Sequence, residues 1–278
     1  MEIPLQVSIL LTILGLVLLG ASVIVYGGTL TFLVSRGGRV EAGHFSLPDL
    51  LSAAALVTFL TAMSAVSIAM GGGSEMKMTA SKILSAQMFM IIIVAGIGAF
   101  LHLRGLKLQN ILGLNRVPFP AAIGWALLFL VAGYPIVAAV NQLSSMMVHT
   151  GPEEQGVVTL FRDVAQTHDY KAIAQMFVAT VLLAPPCEEF LFRGFFYGVG
   201  KRYIGSLPSG IFASLFFAAS HVNLVSLPGL FVLALCLTAA YERTGSLLVP
   251  IGMHAFYNFT SLAVLYFQSQ TAVPISAP

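Results

Sequence analysis

Glu188, Glu189 and Arg193 stand in an otherwise apolar run, Pro185-Pro186-Cys187-Glu188-Glu189-Phe190-Leu191-Phe192-Arg193-Gly194. Two more polar clusters follow. His221 comes four residues after Phe217, and Asn258 four residues after His254. On a helix, positions four apart share a face, while adjacent positions point about 100° apart. Glu189 and Arg193 can therefore neutralise one another, with the acid on the favourable N-terminal side. Glu188 has Ala184 and Phe192 on its own face and no local countercharge. Its carboxylate must find a partner on another helix or resist ionisation. Such a carboxylate is a candidate general base. His254 and Asn258 present an imidazole and a carboxamide together, two donors suited to a developing oxyanion. His221 supplies another imidazole from a different helix. Each also has a plainer reading. Glu189 and Arg193 read as a pair that orients the helix. Asn258 alone would be interhelical glue. Cys187 has no base at helical spacing and reads as a buried thiol. Asn223 reads as a turn residue.

The elements that carry these groups are membrane helices. Apolar residues make up 58% of the 278-residue chain and charged residues 9%, against about 25% charged in a soluble domain. Too few charges remain to clothe a water-facing surface. Continuous apolar runs, rather than alternating strands of about 10 residues, exclude a β-barrel. An open sheet would leave backbone groups unsatisfied in lipid. The chain is therefore expected to be an all-α integral membrane protein. Eight spans are predicted, roughly 6–34, 50–70, 83–103, 119–148, 172–200, 207–221, 227–241 and 247–268. Residues 1–150 hold four of them and 151–278 the four that bear the polar clusters. The fifth span is expected to break at Pro185 and Pro186, since proline removes a backbone donor. No Lys or Arg precedes the first apolar run, which is too long for a signal-peptide core, so it is expected to stay as a helix. Glycines 71–73 read as a hinge. The longest connection, 149–171, is acidic, with Glu153, Glu154, Asp163 and Asp169 against Arg162 and Lys171.

Ionisable groups inside a bilayer are costly and mark function. The net charge of +2 and the absence of a basic tract exclude nucleic acid as a partner. Cys187 and Cys236 lie in apolar runs and read as thiols. Lys and Arg set orientation. One set of span ends holds eight: Arg36, Arg39, Arg104, Lys107, Arg116, Lys201, Arg202 and Arg243. The other holds four: Lys77, Lys82, Arg162 and Lys171. Both termini are therefore expected on the non-cytoplasmic side. At about 1.5 Å per residue, Glu188 lies roughly 20 Å from Lys201, His254 and Asn258 roughly 10 and 16 Å from Leu247, and His221 roughly 21 Å from Leu207. These depths allow one cluster near mid-membrane, in the cytoplasmic half.

Glu188-Glu189-x-x-x-Arg193, then Phe217-x-x-x-His221, then His254-x-x-x-Asn258 resembles the three motifs of the CPBP family. That family contains the Rce1-type CaaX prenyl endopeptidases and the bacterial Abi proteins. Order, spacing and placement on separate spans all agree, over residues 172–268. The resemblance implies an intramembrane endopeptidase of glutamate type acting on membrane-embedded or prenylated substrates. It implies that Glu188 and His221 activate water, that His254 and Asn258 bind the oxyanion, and that Glu189, Arg193 and Phe217 support them. No cofactor is expected. The alternative is zinc, held by Glu188, His221 and His254, although no H-E-x-x-H is present. Two further functions fit buried acids and imidazoles. One is a proton-coupled transporter, for which paired broken helices in both halves would be expected. The other is a non-catalytic scaffold or immunity protein.

Overall fold

A computed structural model describes residues 5–69, 78–147 and 156–271 of the chain. Among them every regular element is helical. We label these α1 (Leu5–Arg36), α2 (Leu47–Ala69), α3 (Ala80–Leu103), the single turn α4 (Leu108–Ile111), α5 (Phe119–Met147) and α6 (Gly156–Gln166). They continue with α7 (Tyr170–Ile204), α8 (Ser206–Ala219), α9 (Leu227–Thr244) and α10 (Leu248–Thr271). The hinge at 71–73, Glu153 and Glu154 lie outside the described residues.

Helices α1, α2, α3, α5, α7 and α10 are long and apolar enough to cross a bilayer. Their outer faces carry large apolar side chains with nothing packed on them, such as Leu10, Ile24 and Ile92. In water such faces would be aggregation sites, and in lipid they are at rest. The protein is thus an integral membrane protein. Eight spans were expected, and among the described residues six helices meet the requirement. The other two expected spans exist as helices. However, α8 has 14 residues and rises about 21 Å against a hydrocarbon core of about 30 Å. Helix α9 has 18 residues and ends in Glu242-Arg243-Thr244. These two pack together as a hairpin.

The acidic connection, expected as a loop, contains the helix α6. In α6, Val157, Leu160, Phe161, Val164 and Ala165 fall on one stripe, and that stripe packs against α3, α7 and α10. The side-chain amide of Gln270 donates to Ala165 O at 3.2 Å, tying the end of α10 to α6.

Helix α7 does not break at Pro185 and Pro186. It changes winding instead. Residues Val178–Leu183 and Phe190–Tyr197 are π-helical, and Ala184–Glu189 between them is α-helical with the prolines at its start. A π-turn bonds i to i+5, so it is wider than an α-turn and recurs at functional sites. Glu188 and Glu189 end the α-helical piece between the two wide stretches.

The helix ends bearing eight cations are latched by a second buried acid. Glu242 is fully buried and takes bonds from Tyr197 Oη, from Lys201 Nζ at 2.5 Å and from Val40 N at 3.2 Å. Lys201 also reaches Gly37 O at 3.0 Å, and Arg39 N donates to Glu242 O at 3.0 Å. Gly38, at φ +77°, fits only as glycine, because a Cβ there would stand 1.8 Å from Glu242 Oε2. Arg104 pairs with Asp49 and Arg116 with Glu41 on the same side. Gly245, at φ +70°, ends α9 in the left-handed conformation and lets α10 start three residues later.

Candidate active site

The site is built around Glu189 rather than beside it. Glu189 and Arg193 are both fully buried, and Arg193 Nη1 donates to Glu189 Oε1 at 2.9 Å. The pairing at i and i+4 expected from spacing is present. The same Oε1 also lies 2.9 Å from His254 Nδ1, across 65 residues of sequence. A carboxylate only accepts, so Nδ1 carries the proton that it receives. This fixes the ring's tautomer and orientation. Nε2 is then the free nitrogen, and it faces Glu188 Oε2 at 3.9 Å. That gap is too long for a direct hydrogen bond and short enough for a bridging water.

Arg193 is held from three sides. Its Nη2 donates to Ala234 O of α9 at 3.2 Å, and its guanidinium lies 4.6 Å over the Phe217 ring. A guanidinium over an aromatic face is attracted by the ring quadrupole. Phe217 is fully buried, and it also touches the His221 ring at 4.8 Å and the His254 ring at 5.8 Å. The phenylalanine of the second motif therefore packs against all three neighbouring cationic or imidazole groups.

Glu188, His221, His254 and Asn258 line one cavity of about 510 Å³. His221 lies past the end of α8, and its Nδ1 is 2.8 Å from Phe217 O. A carbonyl only accepts, so Nδ1–H donates there and Nε2 is left as an acceptor. Both histidines thus leave the same kind of nitrogen unengaged by the backbone or by Glu189. Asn258 uses one amide hydrogen on Thr180 O of α7, at 2.8 Å. The interhelical bond that a lone asparagine would be expected to make is therefore present. Its second amide hydrogen is not committed to that bond. Asn223 accepts from Ser226 N at 2.8 Å and makes the turn expected of it.

Val222, next to His221, adopts φ +49°. A β-branched residue in the left-handed region is strained. Loop 220–226 is held to α5 by Ser144 Oγ, which donates to Val225 O at 2.8 Å.

The sequence reading missed three contributors. Glu242 was overlooked because the seventh apolar run was ended at 241. Gln87 of α3 and Asn141 of α5 line the same cavity from the first half of the chain. Gln87 Oε1 is buried with no hydrogen-bond partner. Gln87 is a single amide inside a long apolar helix, and Asn141 with Gln142 forms an amide pair in another, which is the signal that could have singled them out. Cys187 and Cys236 are buried free thiols, as expected. Among the described residues no three His, Cys, Asp or Glu side chains gather as a ligand set for one ion. Glu188, His221 and His254 share the cavity without forming such a set.

Compared with known proteins, the segment that holds all of these motif residues is the one that matches. Residues 171–260 match the Rce1-like family model, "Type II CAAX prenyl endopeptidase Rce1-like". Glu188, Glu189, Arg193, Phe217, His221, His254 and Asn258 all fall inside the Rce1-like segment, whereas Gln87 and Asn141 fall outside it. The chain is also 33% identical over 120 residues to an "Uncharacterized 24.3 kDa protein" of Escherichia coli. That match covers 41% of this chain and 52% of the relative, so the chain spans about half the relative's length. No solved structure matches.

Proposed function

We propose that this protein is an intramembrane endopeptidase that hydrolyses peptide bonds of membrane-embedded or lipid-anchored substrates with a water activated by Glu188. The observation that carries the reading is the line Arg193–Glu189–His254, which presents Nε2 to the Glu188 carboxylate at 3.9 Å inside an apolar-walled cavity. The family description of residues 171–260 supports the reaction class.

The steps follow from the groups present. A water between the two side chains gives a proton to the Glu188 carboxylate as its oxygen attacks the substrate carbonyl. His221 Nε2, an acceptor by its tautomer, helps to hold that water. The carbonyl oxygen becomes an oxyanion. Asn258 meets it with its second amide hydrogen, and His254 Nε2 is held by Glu189 beside the Glu188 carboxylate. Collapse breaks the C–N bond, and the proton on Glu188 passes to the leaving amine. Preorganised donors of this kind are worth roughly 10²–10³ in rate each. Glu189 and Arg193 touch no reacting atom and act by positioning His254.

The chemistry is written without a metal, because the acid and imidazoles suffice to activate water. Cations concentrate at the ends where α1, α3, α7 and α9 finish, so that face is assigned to the cytoplasm. The face where α1 begins and α10 ends is then non-cytoplasmic.

The test is cleavage of transmembrane and prenylated peptides by purified protein, compared with Glu188→Gln. Wild type is expected to cut and the variant to lose at least about 10²-fold, the usual share of one general base. Excess chelator is expected to leave the rate unchanged. If Glu188→Gln cuts as well as wild type, or restores a deletion strain equally, the enzyme reading fails and a scaffold role replaces it.

A further inference from the structure

The cavity has a direction. Its lining residues on α3, α5, α6 and α10 sit toward the ends of those helices that share one face of the bundle. Ile83 is in the first turn of α3, Asn141 within two turns of the end of α5, Val157 at the start of α6 and Leu265 within two turns of the end of α10. Ser226, at the tip between α8 and α9, completes the rim. No lining residue approaches the opposite ends of these helices more closely than His254, six residues into α10.

The other direction is plugged. Beneath His254 and Phe217 come the buried Glu189–Arg193 pair, then the Tyr197, Lys201 and Glu242 cluster, and around both the aromatic core of Phe192, Phe195 and Phe196. Lys201 and Glu242 belong to the cation-rich face. Among the described residues the mouth therefore opens on the face that carries Lys82, Arg162 and Lys171, against eight Lys and Arg residues on the plugged side and Arg193 between them.

We infer that the substrate reaches this cavity from the non-cytoplasmic side, as an extended stretch of a membrane-spanning or exported polypeptide with apolar side chains, and not as a cytoplasmic chain end. The inference deepens the endopeptidase reading and rests on it. It also opens the site away from the cytoplasmic half in which the helix depths were expected to place the cluster. Size and lining fix the form of the substrate. A cavity of about 510 Å³ has the volume of a small-molecule site, so it takes a few residues with their helix unwound and not a folded domain. Ile83, Val157, Leu230 and Leu265 offer apolar walls to the side chains. Gln87 Oε1, buried and without a partner, is an acceptor for a backbone N–H that unwinding sets free.

Sidedness can be read without any cleavage. Ser226→Cys marks the rim and Gln109→Cys, on an exposed turn between α3 and α5, marks the plugged face. Neither substitution changes the charge count. The native Cys187 and Cys236 are buried, and the unsubstituted protein gives the background. A membrane-impermeant maleimide is expected to label Ser226→Cys in intact cells as fully as in permeabilised ones, and to label Gln109→Cys only after permeabilisation. The reverse pattern, or labelling of Ser226→Cys only after permeabilisation, overturns the inference. The two readings fail separately. Expected labelling together with purified wild-type protein that cuts nothing sinks the endopeptidase and leaves the cavity's sidedness standing.

Discussion

Replacing Glu189 by glutamine removes one charge and leaves the shape, which makes it the sharpest probe of the site. In the native protein one oxygen serves both Arg193 Nη1 and His254 Nδ1 at 2.9 Å each, with Glu189 and Arg193 at 0% exposure. Two unit charges about 4 Å apart interact by roughly 4 kcal/mol at an effective dielectric constant near 20. Stranding one partner of a buried pair costs about 3–5 kcal/mol. Both routes give about 4 kcal/mol for Glu189→Gln, with Arg193 left buried and unneutralised. At roughly 2–4 °C per kcal/mol for a chain of this order of size, the apparent melting temperature should fall by about 8–16 °C. Activity should fall for a second reason. A glutamine that turns its amide toward His254 donates to Nδ1 and moves the ring proton to Nε2, the wrong tautomer for the face turned to Glu188. A free-energy loss of about 4 kcal/mol at the transition state corresponds to about a thousandfold in rate. Glu188→Gln provides the contrast, since Glu188 is partly open to the cavity and makes no short charge pair. It should lose activity with little change in melting. The assay is thermal unfolding in detergent beside peptide cleavage for both variants. A Glu189→Gln protein that melts and cuts like wild type would refute the argument that Glu189 holds His254 through charge.

Two other changes test parts of the frame. Glu242→Ala strands Lys201 and frees the buried Tyr197 hydroxyl, so it should cost about 3–5 kcal/mol, and adding Lys201→Met should recover part of that because the isolated charge is gone; melting of the single and double variants decides. Val222→Gly relieves a left-handed residue that costs roughly 1–2 kcal/mol and gives back about 0.4–1 kcal/mol in unfolded-chain entropy. The melting temperature should hold or rise slightly, and a clear drop would mean that the exposed valine side chain makes a contact that matters.

The helices were legible because hydrocarbon imposes long apolar runs, and each of the eight runs is a helix in the structure within a few residues. What apolarity alone could not weigh was length. Helix α8 is as apolar as its neighbours but too short to cross. Helix α6 was hidden by its charges, Arg162 and Asp163, although Val157, Leu160, Phe161 and Val164 keep helical spacing beneath them. The Glu189–Arg193 pair was readable because helical periodicity is local. The link from Glu189 to His254 was not, because no rule of spacing connects residues 65 apart. Gln87 stands out locally as an amide in an apolar helix, but its position beside the cavity was not legible, since that depends on how α3 packs against α7.

The wide turns of α7 decide where that helix can lose a residue. A turn closed by i to i+5 bonds holds one residue more than an ordinary turn, so α7 stores a surplus residue on each side of Ala184–Glu189. Loss of one residue between 178 and 183 would let that turn close at the commoner pitch and leave the heading beyond it in place. Loss of one residue between 184 and 187, where no surplus is stored, would turn Glu188 and Glu189 by about 100° relative to the turns before them. Glu189 would then take the heading that Glu188 now has, and the acid that now grips His254 would point elsewhere. Substitutions along α7 can be absorbed by lipid or by neighbouring helices, whereas a single-codon deletion in its α-helical piece cannot.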